Sequence, residues 1–117
     1  MQTNKFPTAI FCFNDEMAFG AIQTLKAQGY SVPRDVSVAG FDNIEFAAYC
    51  DPPLTTIAQP TREIGRAAMT ELYEILSGTK TAAKERVLNT QLIVRKSCAP
   101  PAGRAAKTST RRRVATA

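Results

Sequence analysis

Apolar and polar residues form alternating blocks along this chain, and the blocks have the lengths of strands and helices. The apolar run 8–13 follows Pro7, is too short for a helix and is rich in Phe and Ile, so it predicts a buried strand. The run 36–39 predicts a second short buried strand. Between them, apolar residues at spacings of three and four predict a helix over about 15–28. Its apolar face consists of Met17, Ala18, Ala21, Ile22 and Leu25.

A strand, a helix and a second strand within about 30 residues form a βαβ unit, which is right-handed as a rule. The β-prone segment 54–58 predicts a third strand, and residues 44–49 a short helix. A second long helix is predicted over about 60–76. Its apolar face is Ile64, Ala68, Leu72, Ile75 and Leu76. The pattern therefore predicts an α/β fold with a parallel sheet.

Residues 87–95 alternate in part and predict a half-exposed strand. The residues predicted to share one of its faces are Leu88, Thr90, Leu92 and Val94.

The net charge of +5 belongs to the last part of the chain. Residues 1–97 contain ten Lys/Arg and ten Asp/Glu, whereas residues 98–117 contain five Lys/Arg and no acid. Because residues 98–117 are poor in large apolar side chains, we expect a disordered basic tail. We expect a disordered start over 1–6 and one folded segment over 7–97. The arginines 111–113 suit non-specific nucleic-acid contact, but we favour a solvated tail.

Several function classes are disfavoured by what the sequence lacks. With no histidine in the chain, common zinc sites and Ser-His or Cys-His catalysis are excluded. No phosphate loop or dinucleotide fingerprint is present, so we expect no enzyme, metal or cofactor. Three cysteines without a close pair, and no secretion signal at the start, indicate a cytoplasmic protein. No run of 18 apolar residues is present, so no membrane span is expected.

Polar side chains follow all three predicted parallel strands. Asn14 and Asp15 follow the first strand, Asp42 the second and Gln59 the third. Ligands bind beyond the carboxyl ends of parallel strands, so these groups predict a site for a polar, hydroxyl-rich ligand. The alternative is that each is only a helix cap or a turn residue. We disfavour an acid–base pair of Asp15 with Asp42.

Phe19 lies off the apolar face of the first helix. It is either a scattered surface aromatic or part of a subunit contact.

Three blocks in this order resemble the LacI/GalR family of bacterial transcriptional repressors. They are FCFNDEMAFGA at 11–21, VSVAGFDN at 36–43 and PPLTTIAQP at 52–60. The resemblance covers about residues 7–97. The sequences at 50–53 and 57–60 are similar to those of the cytidine-repressor branch of that family.

This resemblance implies an incomplete periplasmic-binding-protein-like (type I) fold that binds a small effector, a sugar or a nucleoside. The positions matching Asn14, Asp42 and Gln59 would contact that effector. The resemblance also implies a homodimer in the intact protein, with its interface near Phe19, Ile22 and Cys50. Operator DNA would be bound only through an N-terminal helix-turn-helix that this chain lacks. The alternative is a fragment of a sugar- or solute-binding protein of the same fold.

A complete repressor is much longer than this chain. By the resemblance, the helix over about 61–76 belongs to a second subdomain whose sheet is not encoded here. We therefore expect its apolar face to lack a packing partner, and the isolated chain to be marginally stable or to associate.

Overall fold

A four-stranded sheet organises the computed structural model, which describes residues 6–101. The strands β1 (Ala9–Phe11), β2 (Ser37–Asp42) and β3 (Thr55–Ala58) are parallel and adjacent in chain order. The last strand, β4 (Gln91–Ile93), pairs with β3 in the antiparallel direction. The predicted α/β fold is confirmed, and the carboxyl ends of the three parallel strands meet at one edge of the sheet.

Helix α1 (Asp15–Ala27) connects β1 to β2. It begins after Asn14, whose side-chain Oδ1 accepts a hydrogen bond from the backbone N–H of Met17 at 2.8 Å. It ends before Gly29, whose φ of 85° is a backbone conformation that glycine adopts readily. The helix therefore has both terminal signals that the sequence predicted.

The core lies between α1 and the sheet. Ala18, Ile22 and Leu25 of α1 are buried in it. The core also contains Cys12, Val36, Val38, Ala47 and Leu54. Met17 was wrongly assigned to this face, because its side chain is 59% exposed. Residues 18, 22 and 25 follow the helical repeat on the sheet-facing side, and Met17 lies one position outside that series.

The predicted short helix at 44–49 is a single 3-10 turn, Glu45–Ala48. Ala47 in this turn is fully buried, and its carbonyl accepts a hydrogen bond from the backbone N–H of Leu54 at 2.8 Å. The turn therefore closes one side of the core and leads the chain to β3.

The predicted half-exposed strand over 87–95 is reduced to the three residues of β4, and apolar residues predicted to share one of its faces are exposed. Leu92 is 60% exposed and Val94 is 71% exposed. The alternation of apolar and polar residues did not predict burial here, because no layer covers that face of β4 in the described part of the chain.

The chain after β4 is held against β2 and β3 by Ser97, which is fully buried. Its Oγ donates to Val38 O at 2.6 Å and accepts from the Thr55 backbone N–H at 2.8 Å. Its carbonyl accepts from the Val38 backbone N–H at 2.9 Å. A buried polar residue therefore joins β2 and β3, and no apolar periodicity in the sequence marks its position.

Helix α2 (Thr61–Leu76) has the predicted bounds to within one residue, and none of its residues is buried. Its predicted apolar face includes Ile64, which is 41% exposed, and Leu76, which is 77% exposed. The face is therefore uncovered within residues 6–101, as we expected from the resemblance. None of the helices in residues 6–101 has the length and apolarity needed to cross a membrane.

The two ends expected to be disordered lie mostly outside the described residues, which exclude 1–5 and 102–117. Phe6 stacks on Tyr30 with ring centroids 4.5 Å apart. Near the other end, the Ala99 backbone N–H donates to Ser37 Oγ at 3.0 Å.

Gly40 lies where β2 passes closest to the start of α1. A Cβ at this position would overlap Asp15 Oδ1 and would lie 3.0 Å from Leu54 Cδ2. Both neighbours are fully buried, so neither has free space to move into.

We predict that Gly40→Ala lowers the free energy of unfolding by about 1–3 kcal/mol, because the added methyl overpacks the core. Urea denaturation followed by circular dichroism measures the change. The matched control is Gly20→Ala in α1, where a Cβ meets nothing within 4 Å. It should raise stability by about 0.5–1 kcal/mol through helix propensity. Equal effects of the two substitutions would contradict the close packing at Gly40.

Candidate functional site

The three polar residues predicted to bind a ligand lie around one cleft at the carboxyl ends of the parallel strands. Asn14 follows β1, Asp42 ends β2 and Gln59 follows β3. The cleft has a volume of about 320 Å³ and is lined by Phe11, Phe13, Asn14, Phe41, Asp42 and Gln59. The parallel topology therefore brings together groups that are far apart in the sequence.

Asp42 and Gln59 are joined by a hydrogen bond, in which Gln59 Nε2 donates to Asp42 Oδ1 at 2.5 Å. The bond uses one carboxylate oxygen and one amide N–H. Asp42 retains its second oxygen, and Gln59 retains its carbonyl and one N–H. The pair therefore presents acceptors and a donor side by side, an arrangement that matches a ligand with neighbouring hydroxyl groups.

The backbone that carries Asp42 is strained. Asp42 has φ 109° and the next residue, Asn43, has φ 54°. Non-glycine residues rarely adopt positive φ, and each such residue costs on the order of 1–3 kcal/mol. Strain of this kind concentrates at functional sites, where the surrounding contacts maintain it.

Asn14 has a structural role whether or not it binds a ligand, since its Oδ1 caps α1. The cap uses only the carbonyl oxygen of the side chain, and the amide N–H groups remain as donors at the cleft. Both interpretations of Asn14 weighed from the sequence are therefore compatible in one geometry.

Three phenylalanines of the cleft were not identified as site residues from the sequence. Phe11 is 63% exposed and Phe13 is 82% exposed, whereas Cys12 between them is buried. The signal was the alternation of Phe at 11 and 13, which places both rings on one side of the chain. Aromatic rings stack on nucleic-acid bases and on the apolar faces of other rings. The phenylalanines therefore give the cleft a flat apolar surface beside its polar side chains.

Asp15 does not face the cleft, because its side chain is fully buried. Its Oδ1 accepts from Thr56 Oγ1 at 2.5 Å, and its Oδ2 accepts from the Ile44 backbone N–H at 2.9 Å. Asp15 therefore connects the start of α1 to β3 and to the turn after Asp42.

Comparison with known proteins agrees with this architecture. Residues 1–98 match the family described as periplasmic binding protein-like domain. The HTH-type transcriptional repressor CytR of Escherichia coli K12 is 50% identical over 91 residues, which are 78% of this chain and 27% of CytR. The chain belongs to the LacI/GalR family. It spans about a quarter of the length of the curated relatives it matches.

Solved LacI/GalR structures superpose on this chain with substantial sequence identity. A LacI family transcriptional regulator from Enterococcus faecium with bound ribose is 37% identical, with a TM-score of 0.73 over 83% of this chain and 36% of that one. A dimeric Lac repressor is 35% identical, with a TM-score of 0.73 over 81% of this chain and 35% of that one. These relatives are transcription regulators, in agreement with the expectation that the chain is not an enzyme.

The residues proposed for the LacI/GalR dimer interface also lie together. Phe19, Ile22 and Cys50 line a hollow of about 110 Å³ between α1 and the segment 46–51. Phe19 packs edge-to-face on Phe46, with ring centroids 5.1 Å apart. Burial raises the pKa of the Cys50 thiol, so the sulfur is uncharged at neutral pH. Four of the six lining residues are apolar or aromatic, and the other two are Gln23 and Asp51. Apolar and aromatic residues are typical of the centre of protein interfaces.

Within residues 6–101, no group of three or more Asp, Glu or Cys side chains could hold a metal ion.

We predict that Thr56→Val lowers the free energy of unfolding by about 1.5–3 kcal/mol, because the buried Asp15 carboxylate loses its hydroxyl donor. The matched control is Thr24→Val on exposed α1 surface, where Thr24 Oγ1 donates to Gly20 O at 2.9 Å. The control should change stability by less than about 0.5 kcal/mol. Urea denaturation of both variants measures the difference, and a Thr56→Val effect no larger than the control would contradict the role given to Asp15.

Proposed function

We propose that this chain forms one wall of the effector-binding cleft of a LacI/GalR-type transcriptional regulator, and that the effector is a sugar or a nucleoside. The observation that carries this proposal is the convergence of Asn14, Asp42 and Gln59 beside three phenylalanine rings, two of which are exposed. Asp42 accepts hydrogen bonds from ligand hydroxyls. Asn14 and Gln59 bind the remaining polar groups, and the aromatic rings cover a flat face of the ligand.

The charge of the cleft favours a neutral ligand. Asp42 is the only ionisable residue among those that line it, and Lys and Arg are absent from that set. On this wall of the cleft, a phosphate or carboxylate ligand would therefore meet a negative charge, with no cation among the lining residues of this chain to offset it. A hydroxylated neutral ligand meets hydrogen-bond partners, in line with the ribose held by the related Enterococcus faecium regulator.

Regulation follows from the position of the cleft. In the complete protein, a ligand that binds one arrangement of the subdomains more tightly shifts the population toward it. Operator DNA is bound by an N-terminal helix-turn-helix outside this chain, and the protein acts in the cytoplasm. The similarity to CytR supports the cytidine-repressor branch. The second candidate is a solute-binding protein of the same fold, which would use the same cleft without controlling DNA.

The apolar hollow at Phe19, Ile22 and Cys50 is the proposed dimer contact of the intact regulator. Its support is the packing of Phe19 on Phe46, together with the similarity to the dimeric Lac repressor. Lys26 Nζ and Asp51 Oδ2 form an ion pair of 2.6 Å at the rim of this hollow. An apolar centre with a charged rim is the usual composition of such contacts.

We predict that Asp42→Ala and Gln59→Ala each weaken effector binding by about ten- to a hundred-fold, since a ligand group loses its partner at about 1–3 kcal/mol. The measurement is calorimetric titration with D-ribose and with cytidine. The protein is an Escherichia coli CytR in which this chain's residues replace the matching segment. Asp35→Ala and Gln28→Ala are the matched controls, because Asp35 precedes β2 and Gln28 follows α1, so neither lies at the carboxyl ends of the strands.

Unchanged affinity in both cleft variants would refute the site. The same chimera separates the two candidate functions, since a regulator changes its operator affinity when the effector is added. Ligand binding without any change in operator affinity would favour the solute-binding alternative.

We predict that Phe19→Glu weakens dimerisation of the same chimera by at least about ten-fold, because a carboxylate would be desolvated in an apolar contact. Sedimentation velocity over a concentration series measures the dissociation constant. Met17→Glu is the control, since Met17 is an exposed apolar residue of the same helix outside the hollow. Equal behaviour of the two variants would exclude Phe19 from the interface.

A further inference from the structure

We propose that Arg95 is the positioning residue of the cleft. Through Asn43, its guanidinium holds the left-handed turn that carries Asp42 and so directs the Asp42 carboxylate into the cleft. The consequence for a ligand rests on the function proposed above, whereas the holding of the turn does not.

The turn needs contacts from outside itself. Asp42 and Asn43 both have positive φ, and neither is glycine. Two consecutive residues of this kind relax toward ordinary backbone conformations unless neighbouring groups prevent it. Relaxation at Asn43 would rotate the peptide that follows Asp42 and move the carboxylate.

Gln59 bonds the Asp42 side chain, but at Asn43 and Ile44, Thr56 and Asp15 hold only the backbone. The Asn43 N–H donates to Thr56 Oγ1 at 3.3 Å, and the Ile44 N–H donates to Asp15 Oδ2 at 2.9 Å. The first of these is long for a hydrogen bond. The backbone contacts therefore leave the Asn43 side chain to be held by another group.

Arg95 supplies that contact. Its Nη2 donates to Asn43 Oδ1 at 2.7 Å, and its Nη1 donates to Leu54 O at 2.8 Å. The two bonds come from one planar group, so the carbonyl at the start of β3 determines where the Asn43 side chain lies. Hydrogen bonds from a charged donor are about twice as strong as neutral ones.

The position of Arg95 is itself held. Its backbone N–H donates to Thr55 Oγ1 at 2.9 Å, and the adjacent Lys96 N–H donates to Pro53 O at 2.9 Å. Arg95 does not line the cleft. It therefore acts on a ligand through Asn43 and Asp42, and not by contact.

The competing explanation is that Arg95 only stabilises the edge of the sheet through Leu54 O. The two roles make different predictions when Asn43 is replaced. Asn43→Gly removes the side-chain acceptor and provides a residue that adopts positive φ without strain. If Arg95 positions the turn, its removal speeds hydrogen exchange in the turn only while Asn43 is present.

The test uses the full 117-residue chain at low micromolar concentration, with Arg95→Met, Arg95→Lys, Asn43→Gly and the double variant Arg95→Met/Asn43→Gly. Hydrogen–deuterium exchange compares peptides covering residues 41–46 with peptides covering 9–13. The second peptide contains the Cys12 N–H, which donates to Ala39 O in the sheet. Thermal unfolding of each variant reports global stability.

We expect Arg95→Met to speed exchange at 41–46 by about ten-fold, the effect of losing one charge-assisted hydrogen bond. Exchange at 9–13 should change much less. Arg95→Lys should be intermediate, because an ammonium cannot satisfy both acceptors in a planar fork. In the Asn43→Gly background, Arg95→Met should add no further exchange at 41–46, although it still lowers the melting temperature through Leu54.

The proposal is overturned if Arg95→Met leaves exchange at 41–46 unchanged, or raises it equally in both peptides. An equal increment in the Asn43→Gly background would also overturn it. Titration of the CytR chimera carrying the same substitutions with D-ribose and with cytidine tests the consequence for a ligand, and Arg95→Met should weaken binding about ten-fold with Asp42 intact. Absence of binding of both ligands to the unsubstituted chimera counts against the proposed effector function, and the exchange result still decides the role of Arg95.

Discussion

A buried carboxylate connects the three segments that form the cleft. Asp15 lies in the first turn of α1, and its two oxygens accept hydrogen bonds from Thr56 of β3 and from the backbone after Asp42. A buried carboxylate without such donors would be strongly destabilising. The start of α1, the end of β2 and the middle of β3 are therefore linked at the base of the cleft. Gly40 is the residue that leaves room for this link.

The buried contacts of Asp15 also help to position the polar side chains that line the cleft. Asn14 immediately precedes Asp15, so the residue that caps the helix also lines the cleft. Asp42 and Asn43 follow the closest approach of β2 to Asp15, and their strained backbone is maintained by Thr56, Asp15 and Arg95. Side chains that are already held in this way would lose little conformational freedom if a ligand bound to them.

The described structure also shows where this chain needs other protein surface. The rings of Phe11 and Phe13 and the apolar face of α2 are exposed at the same time. The LacI/GalR resemblance accounts for both features, because it implies an effector cleft between two subdomains with α2 in the second one. Exposed apolar area of this kind is normally covered in a complete protein.

Local signals in the sequence determined much of the fold. Strand lengths, the helical repeat of α1, its Asn14 cap and the bounds of α2 all depend on residues within a few positions of one another. The strand-end rule also selected Asn14, Asp42 and Gln59, because it depends only on where strands stop and on their parallel order. Periodicity shows which residues share a face but does not show which layer covers that face. For this reason it did not predict that Leu92 and Val94 are exposed, and it wrongly assigned Met17 to the core-facing side of α1.

Tertiary structure alone decided the functions of Asp15, Ser97 and Arg95. Their partners lie far away in the chain: Thr56 is 41 residues from Asp15, Val38 is 59 from Ser97, and Asn43 is 52 from Arg95. No local pattern marks such pairs, because a hydrogen bond between distant residues depends on how the whole chain packs. The sequence by itself therefore determined which elements form and which polar groups end the strands. Packing decided which groups hold those polar side chains in place.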